Sequence, residues 1–141
     1  MDFFLLQSPP LDNTPPIIMD MDKLAQEFVQ YYYNVFEQNQ GNLASLYRDQ
    51  SMLTFEKKKV QGAQNIAREI QNLGFGQSQH KILTLDCQPF PPGNGVIVFV
   101  SGQLKITPTD NPMMFSQVFT LFQEDGNWFV LNDIFKLNME I

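Results

Sequence analysis

The chain has 141 residues, 43% of them hydrophobic and 17% charged, a size and balance suited to one compact domain around a single core. Nine basic against fifteen acidic residues leave a net charge of −6, which repels phosphate backbones and anionic bilayers and argues against nucleic acid or membrane as partner. The longest purely apolar stretch, Val96 to Val100, falls far short of the roughly 20 residues of a membrane-spanning helix.

The first segment, Met1 to about Ile18, carries Pro9, Pro10, Pro15 and Pro16 with Asp12, Asn13 and Thr14 between them, a pattern that excludes a continuous helix or a central strand. Its opening MDFFLL has no Lys or Arg before Lys23 and is interrupted at Gln7 and Pro9, so it reads as a flexible tail and not as a targeting peptide. The folded domain is then expected over residues 19–141. From Asp22, the residues Leu24, Phe28, Tyr32, Val35 and Phe36 recur at helical spacing and predict a helix to about Glu37, with Asp20 or Asp22 as cap and the Gly41 region as its stop. Leu43, Leu46 and Tyr47 suggest a short second helix. Ala63 to Leu73 repeats the period through Ile66, Ile70 and Leu73, with Gly74 placed as a terminating residue.

Between these helices, Met52 to Glu56 reads as a strand, and Lys57, Lys58 and Lys59 as a solvated turn. After His80 the period changes to two, with Leu83, Leu85 and Cys87 alternating against Thr84 and Asp86 until PFPPGNG breaks the run. Val96 to Ile106, Met113 to Gln123 and Trp128 to Leu137 are three more alternating runs, divided by the turn sequences PTDNP and EDGN. Helices followed by an antiparallel meander make an α+β fold in which about three N-terminal helices cover one face of a curved sheet. A long curved sheet closed in this way leaves a hydrophobic cavity at its open end.

No phosphate loop, no paired metal ligands and no nucleophile elbow occurs in the sequence, which leaves nucleotide hydrolysis, zinc chemistry and hydrolase triads without their parts and predicts no cofactor. Lone Cys87 closes no internal disulfide and fits a reducing compartment, cytosol or nucleus. His80 is the single histidine, read either as a structural residue at a strand start or as part of a site. Glu56 follows Leu53 and Phe55, so its carboxylate is either an exposed strand end or a charge beside an apolar hollow, there to act as a base or to pair with a cationic visitor. Asp86 and Asp133 sit in strands among apolar neighbours, where either is open to being a buried acid, although a solvent-facing strand position is the commoner fate. Met113, Met114, Phe115, Phe119, Phe122 and Phe135 exceed what one strand face holds. The apolar outer face is therefore expected to be covered, and homodimerisation through the sheet is the economical solution.

Taken in order, FVQYYYNVF, LASLYRDQSMLTFE, VQGAQNI, the Gln79-His80 pair, SGQLK, FSQVFTL and NDIFKLN resemble the nuclear transport factor 2 family from about Met21 to Met139. That resemblance implies a cone-like homodimer that catalyses no reaction and binds the GDP form of the GTPase Ran together with phenylalanine-glycine repeats of nuclear pore proteins. Such a carrier works in cytoplasm and nucleus, enriched at the nuclear pore, and returns Ran to the nucleus. In the family a ring from Ran enters the cavity while rim carboxylates pair with its basic residues. The matching positions are Glu56 for the rim, His80 beside it, and Phe55, Leu73, Met114, Val118 and Phe135 for the wall, with Asp110 the one acid left in a loop that reads ITPTDNP. For the repeats the matching positions are Met21, where animal members carry tryptophan, and Leu24. Two other readings share the fold: a small isomerase or dehydratase with Glu56 as base and Tyr32 or His80 as donor, and an adapter subunit of messenger-RNA export that pairs with a related domain.

Overall fold

The computed structural model describes residues 16–90 and 94–138. Most of the expected tail, up to residue 15, and the centre of the PFPPGNG turn therefore lie outside the described residues. Helix α1 spans Pro16–Gln38 and starts six residues before the expected Asp22. Proline is at home in a first helical turn, where its missing N–H has no intrahelical partner to lose. Residues 16–18, assigned from sequence to the tail, are thus helical, and Asp20 and Asp22 lie inside the helix and do not cap it. The stripe Leu24, Phe28, Tyr32, Val35 and Phe36 is buried as expected, widened by Ala25, Val29 and Tyr33, because a sheet that curls around a helix covers more than one side of it.

The second helix is a 3-10 helix, Gln40–Leu46. Its threefold period stacks Leu43 and Leu46 on one side, and both are buried. Tyr47 leaves it to begin strand β1, Tyr47–Phe55, five residues earlier than the expected Met52. A tight turn at Glu56 and Lys57 leads to β2, Lys58–Gln61, so two of the three lysines read as a loop are strand residues with exposed side chains. Helix α2, Ala63–Asn72, follows the expected span and turns its buried Ile66, Ala67 and Ile70 inward.

Strands β3 (Gln79–Phe90), β4 (Gly95–Lys105), β5 (Met113–Glu124) and β6 (Asn127–Leu137) form the expected antiparallel meander. The sheet as a whole is mixed, in the order β2-β1-β6-β5-β4-β3, because β1 runs parallel to β6. No local pattern announces that pairing, which joins the first strand to the last. At Gly102 a Cβ would come within 2.3 Å of the Lys81 carbonyl and 3.0 Å of the Phe115 ring, so only glycine lets β4 meet β3 beside the irregularity between Ile82 and Thr84. Alternation then divides the sheet into two faces. The inner face, with Val98, Val100, Leu104, Phe115, Phe119 and Phe135, packs under the helices. The outer face carries Leu83, Ile97, Phe99, Met114 and Ile134, all exposed.

Candidate functional site

At one end of the inner face, Phe55 and Phe135 are direct partners in the parallel β1–β6 ladder, and their rings stack at 4.5 Å with 2° between planes. Phe75, which enters between Gly74 and Gly76, meets Phe55 edge-on at 5.9 Å. Behind them Phe135 stacks on Phe115 at 5.4 Å. Phe115 and Phe135 are buried, whereas Phe55, Leu73 and Phe75 keep part of their surface open. The result is a ladder of rings, anchored in the core and open at one edge, which is how a rigid apolar platform receives another ring.

Glu56 borders that platform. It sits in the β1–β2 turn with φ 58°, its N–H donates to the Phe135 carbonyl at 3.1 Å, and its Oε1 accepts from the Leu137 N–H at 2.6 Å. Oε2 faces the Lys136 ammonium at 3.7 Å. One carboxylate oxygen thus ties the hairpin to β6, and the other is left near the surface.

Three of the remaining sequence-derived positions fall elsewhere. His80 does not adjoin Glu56: Phe115 and Phe135 stand between them in the ring ladder. Its Nδ1 lies 2.9 Å from Glu37 Oε2, which also accepts the His80 backbone N–H at 2.5 Å. Tyr33 stacks on the imidazole at 4.4 Å, with Phe36 edge-on at 5.0 Å. Met114 and Val118 belong to the outer face, because they alternate with the buried Phe115, Gln117 and Phe119. They cannot share one wall with Phe55 and Phe135, which point through the other side of the sheet.

Asp110 is exposed and accepts the Thr107 N–H at 3.1 Å, closing its own loop. Leu73 follows the end of α2 as its C-cap and is half-buried, two residues before Phe75. Near the start of α1, Met21 is half-buried and its carbonyl accepts the Cys87 thiol at 3.8 Å. Leu24, with 4% of its surface exposed, is a core residue and offers little to a peptide. Burial, then Asp22 at 3.2 Å, pushes the Cys87 thiol up to about 12, which leaves it protonated and unreactive.

Asp133, an acid expected to face solvent, is 1% exposed. Its Oδ2 accepts from Tyr47 at 2.7 Å and lies 3.2 Å from the Tyr32 hydroxyl, and its Oδ1 accepts the Gln117 amide at 2.7 Å. The two tyrosine hydroxyls are 2.9 Å apart, and Tyr33 donates to Gln117 Oε1 at 2.6 Å. Burial raises the Asp133 carboxyl to about 6, against the opposing pull of its hydrogen bonds from Gln117, Tyr47 and Tyr32. Burial and the neighbouring carboxylate hold the phenols well above their ordinary range. An acid near 6 beside two phenols has the makings of proton transfer, but closed packing around it keeps substrates away, and its role is to bind α1, β1, β5 and β6 together.

Sequence reasoning missed Phe75, for which the GFG triplet was the available signal, and missed the Asp133 cluster, for which periodicity gives none. On the outer face, Phe99 pairs with Val118 and Val118 with Ile134, so three apolar side chains cross β4, β5 and β6 in one row. Phe99 is 47% and Ile134 51% exposed.

A curled mixed sheet wrapped on a long helix and closed by two short ones, with an aromatic platform at one end, defines a cone-shaped α+β domain. The nuclear transport factor 2 (NTF2) domain family matches the chain over residues 24–137. The chain is 48% identical over 120 residues to nuclear transport factor 2 of Eremothecium gossypii, covering 85% of this chain and 96% of that one. It is likewise 48% identical to nuclear transport factor 2 of Oryza sativa subsp. japonica, covering 85% and 98%. The solved structure of nuclear transport factor 2 from Cryptosporidium parvum superposes with a TM-score of 0.78 at 39% identity, covering 93% of this chain and all of that one. The chain belongs to the nuclear transport factor 2 family.

Proposed function

We propose that the protein is a noncatalytic carrier that binds Ran in its GDP form and phenylalanine-glycine repeats of the nuclear pore, and so moves Ran from cytoplasm to nucleus. The observation that carries this reading is the half-open platform of Phe55 and Phe75 with Glu56 at its margin. An aromatic side chain of the guest would seat on the rings, and Oε2 of Glu56, now facing Lys136 at 3.7 Å, would orient a basic residue of the guest beside it. Asp110, with an exposed carboxylate on the loop before β5, adds a second negative point at the same end of the sheet. Relatives named nuclear transport factor 2, aligned over nearly their whole length, support a role in nuclear transport. For the repeats, Met21 is the remaining candidate, because Leu24 is committed to the core.

The working unit in this reading is a homodimer formed through the outer face, with the row Phe99, Val118 and Ile134 at its centre. An isologous pairing would remove exposed rings and branched side chains from water on both copies. An enzyme reading has less support. It needs Glu56 as base next to Tyr32 or His80 as donor, yet Tyr32 is bonded to Tyr47 and Asp133, and His80 to Glu37.

Calorimetry with Ran loaded with GDP and then with GTP tests the carrier reading, with heat of binding expected from the first alone. Two substitutions separate charge from structure. Glu56→Gln keeps an oxygen for the Leu137 N–H and should weaken binding about tenfold, the size of one lost charge-assisted contact. Glu56→Lys should abolish it. Unchanged binding by Glu56→Lys would remove this platform as the Ran site.

A further inference from the structure

At the end of the sheet where β3 begins and β4 ends, four long polar side chains stand on the outer face in a square. Gln79 is opposite Lys105, and Lys81 is opposite Gln103. They line a cleft of about 400 Å3 that Pro112 closes on one side and His80 borders below. Neither lysine makes an ion pair among the described residues. A chain with fifteen acids and nine bases has thus placed two cations in one cleft with no acid in ion-pair reach among the described residues, an arrangement that attracts an anion from outside.

Spacing selects the kind of anion. Lys81 and Lys105 belong to adjacent rungs of one face, two residues apart along the strand direction, or roughly 7 Å. Alternate side chains of an extended peptide repeat at that same distance. The cleft volume, more than ten times the roughly 30 Å3 share of one water, suits a stretch of chain. The amides of Gln79 and Gln103 can both donate to and accept from a peptide backbone. β3 is also the last strand of the sheet, so an extended segment can lie along an open margin.

We propose that this cleft binds an extended acidic peptide segment with carboxylates at alternate positions, one to Lys81 and one to Lys105. The site is separate from the Phe55 platform, lies at the rim of the outer face where β4 ends, four and six residues beyond Phe99, outside the Phe99, Val118 and Ile134 row, and does not depend on which guest the platform carries.

Fluorescence anisotropy with the full chain and a labelled six-residue peptide of alternating glutamate and serine tests it. Saturable binding is expected, weakening with added salt, and reduced at least about tenfold in the double variant Lys81→Glu, Lys105→Glu, as loss of two charge pairs requires. Lys57→Glu with Lys59→Glu changes the net charge identically on the far edge of the sheet and should leave binding within about twofold, consistent with the weak reach of screened surface charge. If the charge reversal at 81 and 105 fails to fold, Lys81→Gln with Lys105→Gln should show the same loss. Equal losses in the two Lys→Glu double variants, or no loss in the variants at 81 and 105, would overturn the site. Displacement of the peptide by inorganic phosphate at matching concentration would also overturn it, by marking a compact-anion site.

Discussion

The two faces of the one sheet both carry large apolar side chains and put them to opposite use. On the inner face Phe115, Phe119 and Phe135 are buried against α1 and the helices, and even the polar groups there, Asp133 and Gln117, have their partners. On the outer face Phe99, Met114 and Ile134 are 42% exposed or more, with no helix above them among the described residues. A strand that is apolar on both sides thus does not describe one thick core. It describes one core and one exposed apolar face, and the difference lies in whether the chain's own helices reach that side.

The largest effect that would break this comparison comes from a core ring. Phe119 packs edge-on against Phe28 at 4.9 Å and Tyr32 at 4.8 Å, so Phe119→Ala should lose about 3–5 kcal/mol in chemical denaturation. Next is Ile134→Glu, expected to raise the dimer dissociation constant by about a hundredfold or more through two unpaired carboxylates at the interface centre. Sedimentation would detect monomers at concentrations where the parent chain is dimeric. A dimer of unchanged strength would move the interface off this face.

A pH series sharpens the inner side. Asp133 has a folded value near 6, above the roughly 3.9 of an unfolded aspartate, so the folded state binds the extra proton between those values. Its contribution to stability therefore grows as pH falls from about 6 to about 4, by roughly 2–3 kcal/mol. Measured against Asp133→Asn, the parent chain should gain by that amount between pH 7 and pH 4, and a constant difference would mean that the carboxylate titrates normally. The smallest effect is on folding by Glu56→Gln. It retains the Leu137 hydrogen bond and should shift thermal stability within about 0.5 kcal/mol, even where it alters guest binding.

Much of this was legible beforehand. The 3-4 spacing of Leu24, Phe28, Tyr32 and Val35 gave α1, and Ile66 and Ile70 gave α2, because a long amphipathic repeat reports its own buried side. The turns PTDNP and EDGN divided the meander correctly. Boundaries were harder: Pro16 opens a helix, and Tyr47 opens a strand, since end residues depend on the partners they find. Among the site residues, Phe55, Phe135 and Glu56 do come together, as the resemblance implied. Met114 and Val118 were placed on the wrong side of the sheet, because in β5 both sides are apolar and alternation alone does not say which one faces inward.

What the sequence determined by itself was local and periodic: one domain, helices before a meander, aromatic residues in excess of a single core, and motifs specific enough to define the family. The tertiary structure alone decided the parallel pairing of β1 with β6, the enclosure of Asp133 by Tyr32, Tyr47 and Gln117, and the assignment of each apolar face to core or surface. Those outcomes join residues 16 to 101 positions apart. Distance in sequence erases any local signal for them, and they exist only once burial has made an unpaired polar group too costly to leave unbonded.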